Sequence, residues 1–314
     1  AVIVNIPAGD SRRGIEITGE GVVLEKFKLN VARANGIALY TSKNIVIRNI
    51  TLTMTGAGYS EGIVAYASNN GLLLEKVTIS NTIMGVSCNS AACTNWKLSG
   101  VKITNKTSAD GSGADCFANE SGQNLFLKNV EVAGCTADGI DVKGSNVLLV
   151  NPWVHNVSRN GIKLWNGGDI INALVVDTGA DVSIYLGDRG YSRLINSTIA
   201  LPSHHGRAYI LASGYNEIAS DMKIEIINSI IYQNGVNNGA ILYMPNINGT
   251  NRTLKIQNNL FYITRGLVET EPNTDRYFTN AEYNNRFNIN PLFVRAGVSG
   301  DFHLTARSPA LNRG

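Results

Sequence analysis

Charge is what this chain has least of. Only 16% of its 314 residues are Asp, Glu, Lys or Arg, against roughly 25% in an ordinary soluble domain. That is too few to clothe coiled coils or long solvated helices. No stretch approaches the ~18 consecutive apolar residues of a spanning helix, so no membrane partner is expected. The net charge is +3, and no Lys/Arg cluster of the kind that neutralises phosphates is present, which argues against nucleic acid. A polyanion with spaced carboxylates stays compatible. The four His, at 155, 204, 205 and 303, lack the spacing of a metal hydrolase. Four Cys, at 88, 93, 116 and 135, are too few for a disulfide scaffold and lack the paired C-x-x-C of a zinc site. Cys88 and Cys93 can close a short surface loop in an oxidising compartment, though small buried residues are the plainer reading. The opening AVIVNIPAG has no basic leader, and a secreted protein whose leader has been removed looks the same.

What the chain has instead is 38 Asn, 32 Gly and 44% hydrophobic residues, too apolar a mix for disorder. These residues are arranged in repeats. One segment type recurs as NIVIRNITL (44–52), GLLLEKVTI (71–79), NWKLSGVKI (95–103), NLFLKNVEV (124–132) and NVLLVNPWV (146–154), and more loosely up to TLKIQNNLF (253–261). A second lies between the copies: NGIALY (35–40), EGIVAY (61–66), MGVSCN (84–89), ADCFAN (114–119), DGIDVK (138–143), NGIKLW (160–165) and others. Both alternate apolar and polar with period two between Gly, Asn and Ser turns, the pattern of short strands. Two or three strands per 22 to 30 residues, repeated about ten times, predict an all-β, single-domain, right-handed parallel β-helix over 1–314. The segment 263–314 reads as a less regular cover for the end of the solenoid.

Stacked coils place equivalent residues in columns about 4.8 Å apart. Inward positions of the second strand type are then Ile37/Leu39, Ile63/Ala65, Ile140/Val142, Ile162/Leu164 and Val182/Ile184, with the residues between them facing solvent. Asn49, Asn129, Asn151, Asn196, Asn228 and Asn258 share one position of the first strand type. There Asn tolerates left-handed backbone angles, and its amide can bond its counterpart one coil away.

In so uncharged a chain, Asp115, Asp138, Asp141 and Lys163 stand out together on three adjacent coils. Stacked carboxylates repel unless protonated or bridged by a hard cation such as Ca²⁺. The plainer reading makes Asp138 a turn residue before Gly139, and Asp141 and Lys163 an ion pair on a solvated face.

The stretch 113–168, with ADCF (114–117), ADGIDV (137–142) and RNGIKL (159–164) in order, resembles the core of polysaccharide lyase family 9, the pectate lyases. The resemblance implies Asp115, Asp138 and Asp141 as calcium ligands and Lys163 as general base. Two departures stand against it: Ala137 occupies the place of a fourth calcium-binding Asp, and Cys116 that of a Gly. Glu120, Asn119 or a backbone carbonyl would then complete the shell.

The implied reaction is β-elimination. The C5 proton of a uronic acid becomes acidic enough to remove when its carboxylate is neutralised by Ca²⁺. A neutral Lys163 takes that proton, and the C4 oxygen leaves. Free lysine has a pKa of ~10.4, so the base works at alkaline pH unless a nearby cation lowers it. Lys143, Arg159 and Arg189 are candidates to hold other substrate carboxylates. Tyr40, Tyr66, Trp165, Tyr185 and Tyr243 form one outward aromatic column able to stack on sugar rings, or merely on each other. The expectation is a secreted monomer that uses Ca²⁺ and cleaves an acidic polysaccharide, pectate or polygalacturonate foremost. The competing readings are a β-helix glycoside hydrolase, and a non-catalytic carbohydrate-binding or adhesin β-helix that needs only the aromatics.

Overall fold

The computed structural model describes residues 2–7, 13–32, 35–56, 60–89, 92–105, 114–179, 182–187, 190–200, 208–212, 222–233, 240–243, 252–263, 284–297 and 299–311. Among them are strands, bends and turns but no helix, hence none long and apolar enough to cross a membrane. The chain forms two compact units, Ala1–Ser158 and Arg159–Gly314, and each is a parallel β-solenoid.

In the first unit, the long strand Asn35–Met54 lies parallel to Asn69–Thr82, with Ile45 opposite Leu72, Ile47 opposite Leu74 and Leu52 opposite Ile79. The register continues through Leu98, Leu127 and Leu149. Ile47, Leu74, Leu98, Leu127 and Leu149 thus form one column, all without solvent exposure. The second strand type stacks likewise, Ile37 on Ile63 on Val86 on Phe117 on Ile140. In the second unit Ile170, Leu194, Ile226 and Ile256 align in the same way. Each such side chain contributes roughly 1.5–3 kcal/mol through burial, so the period-two pattern, repeated coil by coil, is what holds the solenoid closed.

The asparagines do what their column predicts. Asn49, Asn129, Asn151, Asn196, Asn228 and Asn258 all have φ between 51° and 57°, a left-handed bend that Asn tolerates better than most residues. Of their amides, that of Asn151 donates to Asn129 one coil away at 2.9 Å. A second ladder, not anticipated, runs Asn146 to Asn124 to Asn95 to Asn70 on successive coils. Lys26, Lys76 and Gly100 take the same left-handed bend in early coils.

Two expectations need correction. The residues between the inward positions do not face solvent: Ala38, Val64, Ser87, Ala118, Asp141 and Ser183 are all buried. Alternation separates two faces but says nothing of what lies over the outer one. Beside Val64, the Tyr66 hydroxyl donates to Glu61 at 2.6 Å. The cysteines are also more than buried small residues. Cys88 pairs with Cys93 and Cys116 with Cys135, all four nearly or fully inaccessible.

The second disulfide closes a segment of sequence separation 19 and ties Cys116, next to Asp115, to Cys135, three residues before Asp138. Replacing both Cys116 and Cys135 by Ser should lower unfolding free energy by roughly 3 kcal/mol, and replacing Cys88 and Cys93 by about 2, from loop entropy. Urea unfolding midpoints of the two double variants check both the loss and its order.

Of the C-terminal segment, the described part forms an antiparallel hairpin, Phe293–Arg295 with Asp301–Leu304. Its Phe293 packs edge-on against Tyr232, in a cluster with Val176 and Ala200.

Candidate metal and substrate site

Parallel pairing of two short segments builds the acidic cluster in the first unit. Cys116 donates its N–H to the Asp138 carbonyl at 3.0 Å, Phe117 to Gly139 at 3.0 Å, and Ala137 to Ala114 at 3.1 Å. Those bonds set Asp115 directly over Asp138, whose backbone N–H donates to Asp115 Oδ1 at 2.8 Å. Asp141 stands mid-strand in Ile140–Val142, opposite Ala118. Above Ala118 the column continues with Ser87 and Val64.

One oxygen from each of Asp115, Asp138 and Asp141 lies within 4.8 Å of the others. Asp138 is 5% and Asp141 6% exposed. Isolated carboxylates are costly to bury, and three so close repel one another. Oxygens bound to one Ca²⁺ at 2.3–2.6 Å lie at most about 5 Å apart, so the set fits a hard cation in both chemistry and spacing. The burial of Asp138 and Asp141 departs from the solvated face of the plainer reading.

Glu120 pairs with Lys143. Asn119 points into the interior with no exposure, and neither its Oδ1 nor its Nδ2 has a hydrogen-bond partner. Ala137 is buried at 8% exposure and offers no ligand atom. Lys143, expected to hold substrate carboxylate, already has Glu120 as its anion.

In the second unit Lys163 stands in Ile162–Leu164, opposite Tyr185. Its Nζ lies 4.8 Å from the Trp165 ring centroid and 5.9 Å from that of Tyr185, and the two rings are 5.0 Å apart. Tyr185 is 3% exposed, so its face is packed on protein and is not an open platform for a sugar. Trp165 is half-buried and Arg159 exposed. Arg189 and the side chain of Tyr243 lie outside the described residues.

A second buried carboxylate escaped the sequence reading. Glu61 accepts from Asn35 at 2.5 Å, Tyr66 at 2.6 Å and Asn89 at 2.9 Å. Tyr66 stacks on Tyr40 at 5.8 Å, and the Arg13 guanidinium lies over both rings. Burial, then the bond to Glu61, pushes the Tyr66 hydroxyl above the usual tyrosine range. The available signal was that Glu61 shares a column position with Asn35 and Met84, a charge where its neighbours have none. The expected single outward column is therefore corrected: Tyr40 and Tyr66 stack in the first unit, whereas in the second the register places buried Tyr185 opposite Lys163 and not Trp165.

Residues 4–199 match the family described as right handed beta helix region. The chain is similar to the solved Dettilon tailspike protein, with a TM-score of 0.50 and 13% identity over 87% of this chain and 60% of that one. It is also similar to the tailspike protein from Pseudomonas phage LKA1, with a TM-score of 0.43 and 11% identity over 80% of this chain and 47% of that one. The chain therefore spans less than two thirds of either tailspike, and at these identities the likeness is one of fold. None of the curated proteins compared with the chain matches it.

Proposed function

From its membership of the right-handed β-helix family, we propose that the chain is a calcium-dependent polysaccharide lyase that cleaves a uronic-acid polymer by β-elimination. Fold membership alone does not choose a chemistry. The observation that carries this reading is the trio of Asp115, Asp138 and Asp141, with oxygens within 4.8 Å of one another and two members almost fully buried. Support for the lyase over other calcium proteins comes from the ordered match of ADCF, ADGIDV and RNGIKL to the pectate lyases of polysaccharide lyase family 9.

Asp115, Asp138 and Asp141 hold the cation. Bound Ca²⁺ neutralises the substrate carboxylate as a Lewis acid. Lys163, taken from the second unit on the sequence match, accepts the C5 proton on its Nζ. The leaving C4 oxygen acquires a proton from solvent. Trp165 holds Lys163 in place through its ring face. A glycosidase of the inverting kind would need its two carboxyls roughly 6.5–9.5 Å apart to admit a water, wider than the trio here.

A second reading, a glycan-binding β-helix without catalysis, draws on the Tyr40–Tyr66 and Trp165–Tyr185 pairs and on the tailspike likeness. One assay separates them. Polygalacturonate incubated with the protein and Ca²⁺ should develop the ultraviolet absorbance of an unsaturated uronate, and a chelator should abolish it. Binding without any product, or reducing ends without absorbance, would refute the lyase reading.

A further inference from the structure

The second unit holds a cavity of about 240 Å³ well separated in sequence from the lyase motifs, lined by Asn196, Asn228, Asn258, Arg286, Phe302 and Leu304 among others. It lies where the column of left-handed asparagines meets the C-terminal hairpin. Three features of it bear on what it could hold.

First, the asparagine ladder is interrupted here. In the first unit Asn amides donate to one another from coil to coil. In the second, Asn284 donates to Asn258 Oδ1 at 3.1 Å, but Asn258 gives nothing to Asn228, whose Oδ1 has no hydrogen-bond partner and no contact with solvent. The Asn258 amide N–H groups give no hydrogen bond to a described residue and belong to the cavity lining. Second, the Arg286 guanidinium lines the cavity and makes no ion pair with a described residue. Third, Phe302 and Leu304 give one wall an apolar face.

We propose that this cavity binds a single pyranose unit carrying a carboxylate, through residues of the second unit alone and without catalysis. Free amides suit ring hydroxyls, Phe302 suits the apolar C–H face of the ring, and a planar guanidinium matches a carboxylate with two parallel hydrogen bonds. The volume falls below the roughly 300–1,000 Å³ of drug-sized sites, which fits one ring and not an oligomer. The site serves to hold an acidic polymer or its product at a second point on the solenoid.

The test uses the full chain in chelator, so that the acidic cluster takes no part, and follows the side-chain resonances of Arg286 and Asn258 by NMR during titration with galacturonate, galactose or acetate. Galacturonate should shift both resonances, with a millimolar dissociation constant, and galactose and acetate should bind at least about tenfold more weakly. Arg286→Ala should weaken galacturonate to the level of galactose while leaving unsaturated-product formation unchanged. Equal binding of galactose would overturn the role of the carboxylate, and equal binding of acetate that of the sugar. Absence of any shift, or wild-type affinity in Arg286→Ala, would overturn the site itself. The wild-type titrations decide the matter even if the variant folds poorly, and none of these outcomes depends on the lyase assay.

Discussion

Lys163→Ala is expected to lose roughly 10²- to 10⁴-fold in unsaturated product from polygalacturonate, the range that a positioned general base contributes, with calcium binding and melting temperature unchanged. Lys163 is half-buried, and its ammonium lies against the Trp165 and Tyr185 rings, so a structural role must be separated from a chemical one. Lys163→Arg does so. The guanidinium keeps the charge and the cation–π contact but stays protonated at every working pH. A base role predicts that Arg is as inactive as Ala. A purely structural role predicts that Arg restores activity. The wild-type rate should also climb with pH in the alkaline range, because an ordinary lysine is protonated near neutrality. A flat pH profile, or an active Lys163→Arg variant, would remove Lys163 from the chemistry.

Most of the fold was legible because a solenoid repeats its constraints. One strand with alternating Ile, Val and Leu is ambiguous, but Ile47, Leu74, Leu98, Leu127 and Leu149 recurring in step leave few alternatives, and these stack as that spacing requires. The asparagines were legible for the same reason: a bend that recurs at each coil selects the same residue. What alternation did not reveal was the burial of the outer face. Asp141 and Ser87 read as solvent-facing because their neighbours in sequence are inward, yet both are buried, and alternation within one strand carries no information on what packs over its outer face.

The site was legible in part. Asp115, Asp138 and Asp141 come together because strand register converts sequence spacing into proximity. Glu61 was passed over because its partners, Asn35, Tyr66 and Asn89, are uncharged and carry no motif. The disulfide between Cys116 and Cys135 was equally hidden. Its separation of 19 residues is just under one coil, which places the two sulfurs side by side only after the coil has been drawn.

Asp141→Asn should change stability in opposite directions with and without calcium. Without the cation, buried Asp141 repels Asp115 and Asp138, on the order of 3 kcal/mol per close pair at an effective dielectric of about 20. The amide has the same shape and no charge, so in chelator the variant should melt higher than wild type by about ten degrees or more, at roughly 2–4 °C per kcal/mol for units of this size. With Ca²⁺ at about 10⁵ times its dissociation constant, wild type gains about 7 kcal/mol by linkage, and the variant, with one anionic ligand fewer, gains far less. The two melting curves should therefore cross as calcium is added. A cation site makes Asp141 destabilising alone and stabilising when filled, whereas a hydrogen-bonded structural carboxylate is destabilised by the substitution under both conditions. Scanning calorimetry of both proteins in chelator and in excess Ca²⁺ distinguishes the two, and equal calcium-induced shifts in wild type and variant would show that Asp141 holds no ion.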